Sequence, residues 1–217
     1  MILVNFKIYE QSFDKGAVEL ARTCKKVADK SGIEIIPVVS ALDADRIKKE
    51  VGGRVFLQNV DEEVTGAKTG KISMVQAVAL GVDGALVNHS ECRKKPGTIR
   101  KIVKNKPEGF CLVICLQTLG QVERWGKDLK SDYIAYEPKE LIGNKEKSVA
   151  TEKAKSIETI AKIVGKGRLI VGAGIKDKND VEISLKMGAE GILVASAVVT
   201  DKDPESRLVE LAGAIHV

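Results

Sequence analysis

The sequence predicts a single-domain α/β barrel in which eight strands alternate with eight helices. The strand segments are apolar on both faces, and each is followed by a segment with apolar residues at helical spacing. This alternation recurs eight times over 217 residues without a break in composition. Strands that are buried on both faces belong to parallel sheets covered by helices. A typical (β/α)₈ barrel has about 250 residues, so short helices and loops are expected here.

An open, doubly wound sheet is the alternative arrangement of the same elements. That fold commonly carries a G-x-G-x-x-G turn after its first strand, and no such turn follows residues 2–6. A closed barrel that forms one domain over residues 1–217 is therefore the preferred prediction.

The first half of the chain supplies four strand–helix pairs. Residues 2–6 are apolar and rich in β-branched side chains, which indicates a buried strand. Residues 16–30 carry apolar side chains at helical spacing, and Ser31-Gly32 ends that helix. The same criteria predict strands at 33–39, 54–58 and 84–87, and helices at 43–51, 73–80 and 98–104.

The second half continues the alternation with four more pairs. The predicted strands are 111–115, 133–136, 169–171 and 191–194, and the predicted helices are 119–127, 151–164, 178–187 and 204–214. Trp125 lies on one of these helices, where packing is the preferred interpretation.

Composition excludes several classes of protein. Aromatic residues make up only 4% of the chain, which argues against a nucleic-acid surface built on base stacking. The net charge of +5 comes from scattered lysines and indicates solvated helix faces. No apolar run reaches the roughly 18 residues of a membrane span, and residues 1–4 are too short for a signal-peptide core. We expect a cytoplasmic protein that binds neither nucleic acid nor membrane.

The cysteines and histidines do not form a recognisable metal site. No two of Cys24, Cys92, Cys111 and Cys115 form a C-x-x-C pair. Cys111 and Cys115 share a strand parity inside an apolar run, so packed free thiols are expected. The chain has only two histidines, which makes a transition-metal site improbable. No metal or cofactor is expected.

Polar residues follow several strands at the end where such a barrel places its chemistry. Asn5 and Lys7 end the first strand, His89 follows the fourth, and Glu137 follows the sixth. Each has a structural alternative: Lys7 as a surface charge, His89 as a satisfied polar residue, Glu137 as an ion-pair partner. Converging at one face, a lysine, a histidine and a glutamate can bind an anion, polarise a carbonyl and remove a carbon-bound proton.

The loops after the last two strands indicate a phosphate site. Gly172-Ala173-Gly174 follows the seventh strand, and Ala195-Ser196-Ala197 follows the eighth. Barrels commonly bind phosphate on backbone N–H groups of these two loops. Glycine allows a close approach because it carries no Cβ, although a tight turn explains G-A-G equally well.

Five stretches together resemble the triosephosphate isomerase family in its compact archaeal form. They are N-F-K at 5–7, N-H-S-E at 88–91, A-Y-E-P-K-E-L-I-G at 135–143, G-A-G-I at 172–175 and G-A-E-G-I-L-V-A-S at 188–196. They occur in family order and span nearly the whole chain. The resemblance implies a TIM barrel and the interconversion of dihydroxyacetone phosphate and D-glyceraldehyde 3-phosphate through an enediolate.

The resemblance also implies the role of each catalytic residue, following the mechanism generally described for the family. Glu137 would transfer the proton between adjacent carbons. His89 would be the electrophile, kept neutral by a helix that begins near Ser90. Lys7 would stabilise the developing negative charge and pair with Glu91, and Asn5 would orient the substrate.

The implied phosphate ligands lie in three loops, one of which departs from the family pattern. They are Ile142, Gly143, Gly174, Ala195 and Ser196. The family's lid usually reads I-G-T-G, whereas this chain has Lys145 at the second glycine; Ala197 also stands where glycine is common. An alternative function is therefore an impaired barrel that binds phosphorylated metabolites behind an altered lid. A third, a different phosphate-binding barrel enzyme, is disfavoured by the joint presence of the lysine, histidine and glutamate.

Residues 64–70 resemble the family's third loop, which braces the active site of a neighbouring subunit. The resemblance implies a homodimer or homotetramer with Thr69 near Lys7 of the partner subunit. A glycine-rich surface loop is the other interpretation of this stretch.

Overall fold

The computed structural model describes residues 1–126, 129–144 and 146–215. Within them, eight parallel strands close into a barrel in chain order, with the last strand paired to the first. This confirms the predicted TIM barrel. The strands are Ile2–Asn5 (β1), Ile35–Val39 (β2), Phe56–Leu57 (β3), Gly84–Val87 (β4), Cys111–Leu116 (β5), Tyr133–Tyr136 (β6), Leu169–Val171 (β7) and Gly191–Val194 (β8).

Helices surround the barrel and connect its strands. They are Lys15–Ser31 (α1), Ala41–Glu50 (α2), Met74–Ala79 (α3), Pro96–Lys104 (α4), Leu119–Trp125 (α5), Val149–Glu152 (α6), Ala154–Val164 (α7), Lys178–Lys186 (α8), Ser196–Val199 (α9) and Pro204–Gly213 (α10). None of the helices in the described ranges is both long and apolar enough to cross a membrane.

The core has two layers because strand side chains alternate between two faces. In β1, Leu3 packs inside the barrel, whereas Ile2 and Val4 pack between the sheet and the helices. All of these side chains are fully buried. A strand that is apolar on both faces is what this arrangement requires, which explains why simple alternation is absent from the sequence.

The predicted helix over 151–164 is two helices. The first, α6, begins two residues earlier because the Ser148 hydroxyl accepts a hydrogen bond from the Thr151 backbone N–H and caps it. It ends at Lys153, whose backbone (φ −135°, ψ 32°) is not helical, and α7 follows. The prediction of one helix was therefore wrong, because apolar spacing carries no signal for a change of direction.

Several one-turn elements were not predicted. They are 3₁₀ turns at Glu10–Ser12 and Lys139–Leu141, and the four-residue α9 directly after β8. A segment of three or four residues is too short to show a periodicity. Two of these three turns lie in loops that border the candidate site.

Candidate active site

A cavity of about 250 Å³ lies at the carboxyl ends of the strands and gathers the predicted residues. Its walls include every predicted site residue except Glu91 and Thr69. Those that line it are Asn5, Lys7, His89, Glu137, Ile142, Gly143, Gly174, Ala195 and Ser196. Side chains that are separated by most of the chain length therefore face one small volume.

Glu137 is positioned by the end of β6. Its backbone N–H donates to the Leu116 carbonyl at 2.9 Å, which extends the pairing of β5 with β6 by one residue. Ala135 packs inside the barrel, so Glu137, two residues later, lies on the same side of the strand. Its side chain is buried, and Oε2 has no hydrogen-bond partner among the described residues.

The surroundings of Glu137 have opposing electrostatic effects. Burial raises the pKa of its carboxyl above the ordinary value, while the nearby His89 ring and Lys7 ammonium act in the opposite direction. A buried carboxylate with an unpaired oxygen is a stronger base than an exposed one. The group that faces the cavity is therefore suited to removing a proton.

Cys115 is a neighbour of Glu137 whose position the sequence analysis did not anticipate. Its thiol is buried on the inner face of β5, and burial together with the Glu137 charge raises its pKa well above the ordinary value. The thiol therefore stays protonated beside the carboxylate. The shared strand parity of Cys111 and Cys115 predicted a common face, but could not tell the inside of the barrel from the outside.

The His89 ring is fixed by a hydrogen bond on one side and lies beside Glu137 on the other. Its Nδ1 accepts a hydrogen bond from the Glu91 backbone N–H at 3.3 Å, and its Nε2 lies 3.7 Å from Glu137 Oε1. Because Nδ1 is an acceptor, Nε2 is the nitrogen of the neutral ring that carries a proton. That N–H faces the cavity.

The helix expected near Ser90 is not there. Ser90 and Glu91 form a turn, and α4 begins only at Pro96. The residue before a proline avoids the helical region, and Lys95 is accordingly extended (φ −68°, ψ 148°). The Glu91 backbone N–H, not a helix end, is the group that fixes His89.

Lys7 is held in an unusual backbone conformation. Its φ is +49°, a region that is sterically unfavourable for a lysine. The Lys7 N–H donates to Asn5 Oδ1 at 3.1 Å, and Gln58 Nε2 donates to the Lys7 carbonyl at 2.8 Å. The ammonium lies 2.6 Å from Glu91 Oε1, so the predicted pairing of these two side chains is present.

The lid segment follows Glu137 and is shaped by two local features. Gly143 has φ +72°, and the Asn144 side-chain oxygen accepts hydrogen bonds from the backbone N–H groups of Glu146 and Lys147 at 2.9 and 2.8 Å. The Asn144 side chain therefore accepts the backbone hydrogen bonds that a helix or strand would otherwise supply in this loop. Lys145, the departure noted in the sequence, lies outside the described residues.

The glycines after β7 make room for their neighbours. A Cβ on Gly172 would lie 2.8 Å from Glu137 Cγ, and a Cβ on Gly174 would lie 2.4 Å from the Lys147 carbonyl oxygen. Gly174 also has φ +77°. The sequence predicted that other groups approach the backbone of these glycines closely. In the structure, the Glu137 side chain approaches Gly172, and the backbone of the predicted lid approaches Gly174.

The loop after β8 leads directly into α9, whose first residue is Ser196. Ala195, Ser196 and Ala197 all line the cavity. The first turn of a helix has backbone N–H groups without intrahelical partners, which suits it to an anion. The structure thus places a short helix start where the sequence predicted a phosphate loop.

The other two predicted residues lie elsewhere. Glu91 contacts the site through Lys7, and its own side chain is 56% exposed. Thr69 belongs to the exposed loop 64–70 and does not line the cavity.

Comparison with known proteins agrees with this geometry. The family model described as triosephosphate isomerase matches residues 1–214. Among similar proteins are the triosephosphate isomerases of Methanothermus fervidus, 33% identical over 97% of this chain and 96% of the relative, and Methanosarcina acetivorans, 36% identical with the same coverage. That of Archaeoglobus fulgidus is 36% identical over 98% of this chain and 97% of the relative. The chain therefore belongs to the triosephosphate isomerase family.

Proposed function

We propose that this chain interconverts dihydroxyacetone phosphate and D-glyceraldehyde 3-phosphate, with Glu137, His89 and Lys7 as its catalytic residues. Membership of the family supports the reaction. The observation that carries the assignment of roles is the convergence of these three side chains on one cavity, opposite a glycine-rich loop and a helix start.

Glu137 removes a proton from the carbon next to the substrate carbonyl, which leaves an enediolate. The same carboxyl then returns the proton to the neighbouring carbon, while the proton of the substrate hydroxyl moves to the former carbonyl oxygen by way of His89, so that protons and electron pairs balance over the cycle. Its burial supports this role because burial raises the pKa of the carboxyl and makes it a better base.

His89 and Lys7 stabilise the charge that develops on oxygen. The Nε2 proton of His89 donates to the substrate oxygens, and the ammonium of Lys7 offsets the negative charge of the enediolate. Glu91 holds that ammonium at 2.6 Å, and Asn5, which bonds the Lys7 backbone, orients the substrate.

The phosphate binds at the far side of the cavity. Its proposed ligands are the backbone groups of Ile142, Gly143, Gly174, Ala195 and Ser196. Gly143 has φ +72° and Gly174 has φ +77°, so neither position would accept a larger side chain without strain. The lid covers the phosphate and excludes water from the enediolate.

A coupled assay with glyceraldehyde 3-phosphate tests these roles. Glu137→Asp withdraws the carboxylate by one methylene, and a misplacement of about 1 Å costs roughly 100-fold in rate. Glu158→Asp is the matched control, since Glu158 is an exposed residue of α7. If the unaltered chain were inert but bound 2-phosphoglycolate, the alternative of an impaired metabolite-binding barrel would replace the isomerase.

We further propose a cytoplasmic homodimer or homotetramer that uses the loop 64–70. Large apolar side chains are exposed on the loop after β1 and at the start of α2, including Ile8 at 83% and Leu42 at 93%. Exposed apolar side chains of this size favour a protein interface. Thr69 of the loop would approach Lys7 of the partner subunit.

Sedimentation at micromolar concentration tests the assembly. We expect a species at a multiple of the chain mass of 23.4 kDa. A single species at the chain mass itself would rule out this proposal without affecting the assignment of the reaction.

A further inference from the structure

A second cavity lies on the outside of the barrel, between the segment that follows β4 and helix α5. Its volume is about 420 Å³, within the range of small-molecule sites. The proposed reaction makes no use of it. The residues that line it are Asn88, Arg93, Lys94, Pro96, Thr118, Gly120, Gln121, Arg124 and Trp125.

The described residues give this cavity a positive charge. Of the nine described residues that line it, three are cationic and none is acidic. Lys94 is paired, since its Nζ lies 3.0 Å from Asp61 Oδ1, but neither Arg93 nor Arg124 has an ion-pair partner among the described residues. A guanidinium presents its N–H groups in a planar fork that fits a phosphate. Two such groups at one cavity favour a phosphorylated ligand.

The cavity also has an aromatic wall. Trp125 lines it and is half-buried, since part of the indole packs against the core. The side-chain Oε1 of Gln121 accepts a hydrogen bond from the Gln117 backbone N–H at 2.8 Å, which leaves the side-chain N–H₂ of Gln121 as a donor. Tryptophan stacks on planar rings, and a side-chain amide recognises ring nitrogens and oxygens.

We propose that this cavity binds a phosphorylated compound with a planar ring, of the nucleoside monophosphate class. Arg93 and Arg124 bind the phosphate, and Trp125 stacks on the ring. A bare phosphate would leave most of the volume and the indole unused, which favours the larger ligand.

The same cavity is connected to the segment that carries His89. Asn88 has φ +67° and is held by three hydrogen bonds. Its Nδ2 donates to the Cys115 carbonyl at 2.8 Å, its Oδ1 accepts from Lys94 N at 3.1 Å, and its carbonyl accepts from Arg93 Nη1 at 3.0 Å. A phosphate that draws Arg93 away removes the last of these bonds next to His89. Ligand binding is therefore expected to lower turnover, a consequence that rests on the proposed isomerase activity, whereas the binding itself does not.

Fluorescence of the chain reports on the site directly, because Trp125 is its only tryptophan. The full chain is titrated with AMP, adenosine and inorganic phosphate, with 2-phosphoglycolate present at saturation to occupy the active site. We expect a saturable change in emission with AMP and a weaker response to either fragment. A linear response to AMP, or an equal response to inorganic phosphate, would overturn the proposal.

Matched arginine variants locate the ligand. Arg93→Ala and Arg124→Ala should each weaken AMP binding about tenfold or more, as expected for the loss of a charge-assisted hydrogen bond. Arg100→Ala is the control, because Arg100 is exposed on α4 and does not line the cavity. Calorimetry repeats the measurement independently of the indole. Equal affinity in all three variants would refute the site.

Turnover is measured separately with and without AMP. Arg93→Ala lacks the same bond to the Asn88 carbonyl, so its kcat without AMP should already be lowered and AMP should lower it no further, which supports the connection through Asn88. An unchanged kcat with AMP bound would overturn the connection and leave the site itself intact. Isomerase activity that is absent from the start refutes the proposed function, while the fluorescence titration still decides whether AMP binds.

Discussion

Gly172→Ala should impair catalysis without disturbing the fold. Gly172 is not among the residues with positive φ, so alanine can adopt its backbone conformation. The new Cβ would lie 2.8 Å from both Glu137 Cγ and Glu137 Oε1, whereas ordinary contact begins at 3.4 Å. The Glu137 side chain must therefore move by about 0.6 Å, the difference between these two distances.

This displacement sets the size of the expected effect. A catalytic group that is misplaced by about 1 Å costs roughly 100-fold, so a shift of this size should lower kcat by about 10- to 100-fold. The coupled assay with glyceraldehyde 3-phosphate measures kcat and KM, and KM should change less because no phosphate ligand is altered. Thermal unfolding measured in parallel shows whether the fold is intact.

The control is Gly97→Ala. Gly97 lies in α4 with open space around its Cβ position and no positive φ, so activity should be unchanged and stability should rise by about 0.5–1 kcal/mol. If Gly172→Ala retained full kcat, the position of the Glu137 carboxyl would not limit the reaction. The assignment of this side chain as the base would then be untenable.

Three further predictions concern stability and reactivity. Because burial raises the pKa of the Glu137 carboxyl, its ionisation lowers the stability of the fold as pH rises through the folded pKa. Glu137→Gln should therefore raise Tm at pH 8 and not at pH 4, by about 2–4 °C for each kcal/mol gained in the free energy of unfolding. An equal gain at both pH values would contradict this. Asp180→Ala should lower the free energy of unfolding measured in urea by about 2–4 kcal/mol, because the fully buried Asp180 carboxylate accepts hydrogen bonds from Ser148 Oγ and the Lys176 backbone N–H. Asp29→Ala, at an exposed position, should lower it by less than about 0.5 kcal/mol. A thiol reagent should modify the exposed Cys92 rapidly in the native state, whereas the buried Cys24, Cys111 and Cys115 should react only after unfolding. Rapid reaction of two or more cysteines in the native state would contradict this burial.

The barrel could be predicted because its strands carry an unambiguous pattern. Residues 84–87, 133–136, 169–171 and 191–194 were predicted with the bounds that the structure has, since each is a short apolar run that directly follows a charged residue. Helix ends were predicted less well. The start of α6 is set by the Ser148 cap, and apolar spacing contains no information about the break at Lys153.

The convergence of the proposed catalytic residues on one cavity could be predicted from their positions, but their contacts could not. Lys7, His89 and Glu137 each follow a strand, and parallel strands bring those ends together. The hydrogen bond between Ser148 and Asp180 joins residues 32 apart, and no local pattern indicates it. The place of Cys115 beside Glu137 was also inaccessible, because a strand that is apolar on both faces does not reveal which face is inside.

The turn after β7 links the proposed base to the proposed lid. Gly172 donates to the Tyr136 carbonyl at 3.1 Å and contacts Glu137, while the Ala173 carbonyl accepts from Val149 N at 3.1 Å, just beyond the lid. Gly174 contacts the carbonyl of Lys147 within the lid. Three consecutive residues therefore contact both ends of the segment that begins at Glu137. A movement of the proposed lid that displaces this turn would also act on the Glu137 carboxylate, so the structure connects the proposed lid to the proposed base.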